Sequence, residues 1–324
     1  ILTGGMNALG IINVNVGVVD IQGATNSTNL IAGTFSTNIQ LATGVRVAMQ
    51  IGSAAGPYTV LQPITINGNL GAGNRNLTVT RQSGSSTVDA RFTAVTLVNN
   101  AVLSVEESNT SVRVSPTLTG SATITKMAAN SSDIDLASVT ASGGSYTLTL
   151  GDSVAGAPTL AMNIYGAVGA NMTVDIKDAT VTIASGASLD AAGTVQLNTS
   201  GIGSLTIAAG AAGSGGLTAG TIVLGGGRQV TVNVDTTVAG TTNTVGAKLS
   251  MAAAATGTFY ANRSAGANTG TAKWTNAEMG AGAALTVTRN NASGRLPVKM
   301  MGATATVTNS ASDNTVFVDD VTKD

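Results

Sequence analysis

The side chains in this sequence able to do chemistry are carboxylates, and they come in close pairs: Asp133 with Asp135, Asp175 with Asp178, and Asp319 with Asp320. Hard oxygens at such spacing, aided by Asn side chains and backbone carbonyls at turns, suit calcium. None of the pairs lies in a helix-loop-helix calcium loop or in a glycine-rich nonapeptide repeat. The competing reading is the ordinary one, Asp hydrogen-bonding its own turn in contact with water. The same acids admit glycoside hydrolysis, which runs on two carboxylates without His. That chemistry also wants aromatic platforms for sugar rings, and Tyr58, Tyr146, Tyr165, Tyr260 and Trp274 are spread along the chain. The sequence therefore points away from an enzyme.

Other chemistries fall on composition. The chain has neither Cys nor His, which removes thiol nucleophiles, zinc sites built on thiolate or imidazole, and every His-based triad. Gly213 to Gly216 and Gly225 to Gly227 have the glycine content of phosphate-binding loops, but no helix pattern and no Lys-Ser/Thr ending follows either. They read as turns, and Arg228 as the solvated first residue of a strand. With 15 basic and 16 acidic residues scattered mostly singly and a net charge of −1, no positive stripe exists to hold nucleic acid. Eight Asn-x-Ser/Thr sequons occur, close to the roughly six expected by chance in so Asn- and Thr-rich a chain.

The elements that must carry these residues are short alternating runs. Between Met172 and Asp235 they are Val174-x-Ile176, Val181-x-Ile183, Val195-x-Leu197, Leu205-x-Ile207, Ile222-x-Leu224 and Val230-x-Val232-x-Val234, separated by Gly, Ala, Ser, Asn and Asp. A period of two puts the apolar side chains on one face of a strand and Thr, Gln or Asn on the other. Similar runs fill residues 39 to 150, at intervals short enough for hairpins. The expected fold is all-β, a β-solenoid or a multi-sheet β-sandwich of many short strands with little helix. Lys248 to Gly257, with its Ala run, is the one stretch expected to form a short helix. Turn residues cluster from Gly151 to Pro158, which divides the chain into a domain over 1–150 and a more solenoid-like region over 151–324.

Charged residues make up only 10 % of the chain and mean hydropathy is +0.29. A surface of Thr, Ser, Asn, Gly and Ala is polar yet readily desolvated, because hydroxyls and amides pair easily whereas buried charges are costly. Such a surface suits a subunit covered by its neighbours. There is no apolar run of about eighteen residues that could span a membrane as a helix. One Trp, four Tyr and four Phe are too few for the aromatic girdles of a membrane barrel. Ile1 in place of Met reads as the product of processing, which implies export and an extracellular or cell-surface location.

Gly186-Ala-Ser-Leu-Asp-Ala-Ala-Gly-Thr-Val-Gln-Leu197 and Ser204-Leu-Thr-Ile-Ala-Ala-Gly-Ala211 resemble exported β-solenoid and surface-layer proteins. These include autotransporter passengers, haemagglutinin-type adhesins and low-charge lattice or sheath subunits, and the likeness covers about residues 160 to 236. It implies a structural protein whose partners are copies of itself. The strand-like ends, with Ile12, Val14 and Val16 in one and Val316 and Val318 in the other, are the candidate assembly strands: each can complete a sheet in the next copy. The alternative is an adhesin or receptor-binding module that recognises cell-surface glycan or host surfaces. Of cofactors, only structural calcium is implied.

Overall fold

The structure is a computed structural model, and it describes residues 12–14, 39–41, 47–51, 56–60, 63–67, 77–81, 88–105, 110–126, 134–151, 160–197, 202–209, 217–266, 270–290, 293–300, 306–309 and 316–323. Among them there is no helix. The chain divides into two compact units, Ile1–Asn163 and Ile164–Asp324.

Both units are parallel β-solenoids. In the first, the chain passes alternately through two sheets. Val88–Val98, Thr110–Leu118 and Ile134–Leu136 belong to one; Ala101–Val105, Ala122–Lys126 and Tyr146–Leu150 belong to the other. Each strand lies parallel to the strand one coil later, as Val112 does beside Ile134 and Leu103 beside Ile124. The hairpins expected between neighbouring runs are therefore absent from the described pairings: most runs adjacent in sequence go to different sheets, and two that share one, Gly56–Val60 and Ile64–Asn67, lie end to end along Val88–Val98 and not side by side. Asn99 and Asn100 show how. Both have positive φ, 49° and 60°, a conformation that Asn tolerates better than most residues, and they turn the chain out of one sheet into the other.

The second unit repeats the plan. One sheet runs through Ala179–Ile183, Ser204–Ile207, Arg228–Thr236, Thr256–Gly266, Ala284–Asn290 and Thr306–Asn309; the other includes Met172–Ile176, Thr194–Leu197, Thr221–Leu224, Lys248–Met251 and Ala277–Met279. Ala167–Val168 and Ser188–Leu189 form a small third pair. The period-two apolar residues become columns. Val181, Leu205, Val230, Phe259 and Val287 stand in register on one side. Val174, Val195, Ile222, Leu249 and Ala277 do so on the other. All ten are buried, at about 1.5–3 kcal/mol for each large side chain taken out of water. Phe259 and Trp274 meet edge to face across the interior, ring centroids 6.2 Å apart at 86°.

Lys248 to Gly257 departs from the expected helix. Lys248–Met251 is a strand, residues 252–255 form a turn with Ala254 at φ 56°, and Thr256 opens the next strand. Leu249 and Met251 are both buried, and a ladder bond to each neighbouring coil outweighs the few tenths of a kcal/mol per residue of helix preference in four alanines.

Candidate functional site

The carboxylates are held by their own chain. Asp135 sits mid-strand in Ile134–Leu136 with both oxygens engaged: Arg113, its in-register neighbour, donates from Nη2 to Oδ2 at 3.2 Å, and Asn163 Nδ2 donates to Oδ1 at 3.0 Å. Asp175, 7 % exposed, accepts from Gln196 Nε2 at 3.2 Å, again from the neighbouring coil. Asp178, three residues on, serves a different group, the backbone N–H of Ile202 at 3.1 Å. The pairing of Asp175 with Asp178 in the sequence is thus not a pairing of function in the fold. Among the described residues no cluster of three or more acids is placed to hold a metal ion. Asp133 lies outside the described residues. Asp319 and Asp320 lie in Val316–Lys323 where the register slips: Leu296 is beside Val318 and Val298 beside Val321, so that in the backbone ladder two residues, 319 and 320, stand against the single position 297, a proline. Proline has no N–H for the ladder, which makes its position a natural place for a bulge.

The remaining described acids are employed likewise. Asp89 pairs with Arg91 at 2.7 Å and Glu278 with Lys248 at 2.8 Å. Asp190 accepts from the Ala192 N–H at 2.9 Å, and Asp235 from the Thr237 N–H at 2.9 Å. The backbone and hydroxyl hydrogen bonds from Thr237 hold the Asp235 carboxyl below its ordinary value of 3.8, because they favour the charged form.

Of the candidate assembly strands, Ile12–Val14 lies parallel to Ile39–Leu41 and is the outermost strand of its sheet among the described residues. Ile12 and Val14 share register columns with Ile64 and Ile66, which are buried. Val16 lies outside the described residues. Val316 and Val318 belong to Val316–Lys323, which pairs in parallel with Ser293–Met300 of the same chain. Each end strand thus has a partner within its own chain on one side.

Two polar arrangements were not singled out by the sequence, although Tyr260, the centre of the second, is among its spread-out aromatics. Asn243 is 3 % exposed at an inward position of Thr241–Val245, and its Nδ2 donates to the backbone oxygens of Asn233, at 2.7 Å, and Ala208, at 3.3 Å. It ties one sheet to the other. The signal was present: an Asn two residues before Val245, in phase with the buried face. The second feature is a polar outward face built around Tyr260. On it Thr206, Thr231, Tyr260 and Thr288 form one register row. No family model matches this chain, and no curated protein or solved structure is significantly similar to it. What the fold defines is the class, a parallel β-solenoid.

Proposed function

We propose that this chain is a non-enzymatic structural subunit, exported to the cell surface, which self-assembles into a surface layer, sheath or filament through the edges of its β-strands. The observation that carries the reading is the polarity of the sheets. Every described pairing is parallel, so a coil of one copy can be followed by a coil of the next with no change of strand direction. Ile12–Val14 and Val316–Lys323 are the strands assigned to that contact, with backbone groups supplying affinity and the Val and Ile columns supplying register. Head-to-tail contacts whose rotation does not close yield fibres or, with a second interface, lattices. The low charge and the Thr- and Asn-rich outward rows support the reading, since such surfaces are covered at little desolvation cost. The resemblance of residues 160 to 236 to surface-layer and passenger solenoids supports it too. So does the engagement of Asp89, Asp135 and Glu278 in ion pairs and of Asp178, Asp190 and Asp235 with backbone N–H groups.

The test is to purify the chain, strip divalent ions with a chelator, and follow particle size by light scattering and negative-stain microscopy before and after calcium. Ordered sheets or fibres are expected. Growth that needs calcium would assign the ion to acids such as Asp133, Asp319 and Asp320. A small, monodisperse particle under both conditions refutes self-assembly, and normal polymerisation after deletion of residues 1–21 refutes the N-terminal contact.

A further inference from the structure

The outward face around Tyr260 has a composition of its own. Gln229, Thr231 and Asn233 project from Arg228–Thr236, Thr258, Tyr260 and Asn262 from Thr256–Gly266, and Thr286 and Thr288 from Ala284–Asn290. Register aligns Gln229, Thr258 and Thr286 in one row, Thr231, Tyr260 and Thr288 in the next, and Asn233 with Asn262 in a third. All are half-buried or exposed, while the residues alternating with them, Val230, Val232, Phe259, Ala261 and Val287, are buried. The rows hold hydroxyls, amides and one aromatic ring, and no charge.

We propose that this face binds a neutral oligosaccharide, with the Tyr260 ring as the platform on which a sugar stacks and the flanking Gln229, Thr231 and Asn262 as its polar rim. Sugars offer both halves of the match: a face of C–H groups for an aromatic ring and an edge of hydroxyls for amides and hydroxyls. The absence of Lys and Arg from the rows selects against acidic sugars, which need a cation to be desolvated. The amides are already fixed, Gln229 Nε2 on Thr231 Oγ1 at 3.1 Å and Asn262 Nδ2 on Asn233 Oδ1 at 2.8 Å. Side chains ordered before binding lose less entropy when the ligand arrives.

The inference does not depend on polymerisation, and its test is separate. The full chain is applied to immobilised neutral oligosaccharides, namely β-glucan, mannan, xylan and starch fragments, with oligogalacturonate as the acidic comparison. At least one neutral member is expected to retain the chain. Tyr260→Ala is expected to weaken that binding about tenfold, and Tyr260→Phe, which keeps the ring, to preserve it. Unchanged Trp274 emission verifies that the variants are folded. Retention by no neutral member, equal retention of wild type and Tyr260→Ala, or preference for the acidic chain overturns the proposal. A Tyr260→Ala variant that alters assembly without altering sugar binding also overturns it, and assigns the face to a contact between copies.

Discussion

Replacing Asn243 by Asp exchanges one atom pair and reverses the electrostatics of the bond between the sheets. In the native chain the amide nitrogen donates to two backbone oxygens, those of Asn233 and Ala208, at a site 3 % exposed. Asn243→Ala removes the donor and costs about 1–3 kcal/mol, two net hydrogen bonds at a buried site. Asn243→Asp does more, because above the titration of its carboxyl it sets a negative oxygen against two carbonyl oxygens. Burial and that repulsion both raise the folded-state pKa above the unfolded value of about 3.9. The sign follows: when the folded pKa is the higher one, the unfolded state releases its proton first, so stability falls as pH rises from the unfolded pKa to the folded one. Each unit of upward displacement is worth about 1.4 kcal/mol. A displacement of two or three units makes Asn243→Asp about 3–4 kcal/mol less stable at pH 7 than at pH 3, relative to wild type. At pH 3 the neutral acid donates its one proton to one of the two oxygens and recovers part of the loss. Urea unfolding at pH 3, 5 and 7 measures this, followed through the emission of Trp274, the single tryptophan, which is fully buried. A stability difference between Asn243→Asp and Asn243→Ala that stays constant across this pH range would refute the reasoning, since it would mean that position 243 does not face the two carbonyls.

Two further outcomes follow from the backbone. At Gly280 an added Cβ would stand 2.5 Å from the Ala253 nitrogen and 2.7 Å from the Ala252 carbonyl carbon, whereas at Gly227, with φ 72°, nothing lies within 4 Å. Gly227→Ala should therefore cost only the left-handed conformation, about 1–2 kcal/mol, and Gly280→Ala more, because the backbone of the neighbouring coil must move; chemical denaturation of the two variants reads the order. The Asp235 carboxyl, accepting from Thr237, should titrate by NMR below its ordinary 3.8. Because its pKa is depressed by folding, its contribution is present above the unfolded value and lost as pH falls through the folded one. Thr237→Pro, which removes the N–H, should return the titration towards 3.8.

Much of the all-β architecture is legible in the sequence because period two leaves a direct trace. The six runs between Val174 and Val234 all become strands, with their apolar members buried. What alternation cannot convey is which strand lies beside which. Val195 is beside Val174 and Ile222, not beside the run at Val181, and nothing in a short alternating run distinguishes a hairpin from a passage between sheets. A fixed repeat would have revealed the coil, but the in-register or near-register partners are 21 residues apart for Asp175 and Gln196, 22 for Arg113 and Asp135, 28 for Asp135 and Asn163, and 29 for Asn233 and Asn262. The Ala run after Met251 misleads for a related reason: propensity is local, and the ladder that overrides it is a coil away. The acids at 133, 135, 175 and 178 announce themselves by spacing, yet the residues that answer Asp135 and Asp175, namely Arg113, Asn163 and Gln196, are remote in sequence and become neighbours only through register.

The uneven length of the coils has a practical side. Register is kept by the columns of Val, Leu, Ile and Phe, while the differences in length are absorbed by the corners between them, where added chain costs only about 0.6 kcal/mol per doubling of a loop. The corners are thus natural acceptors for foreign peptide. An epitope or enzyme-recognition sequence spliced between Thr236 and Thr241, where Val238 is exposed, should be displayed at the rim of a coil without disturbing the stack, whereas the corner from Met251 to Thr256 is tied to the next coil by the Ala254 N–H on the Ala281 oxygen and is closed to insertion.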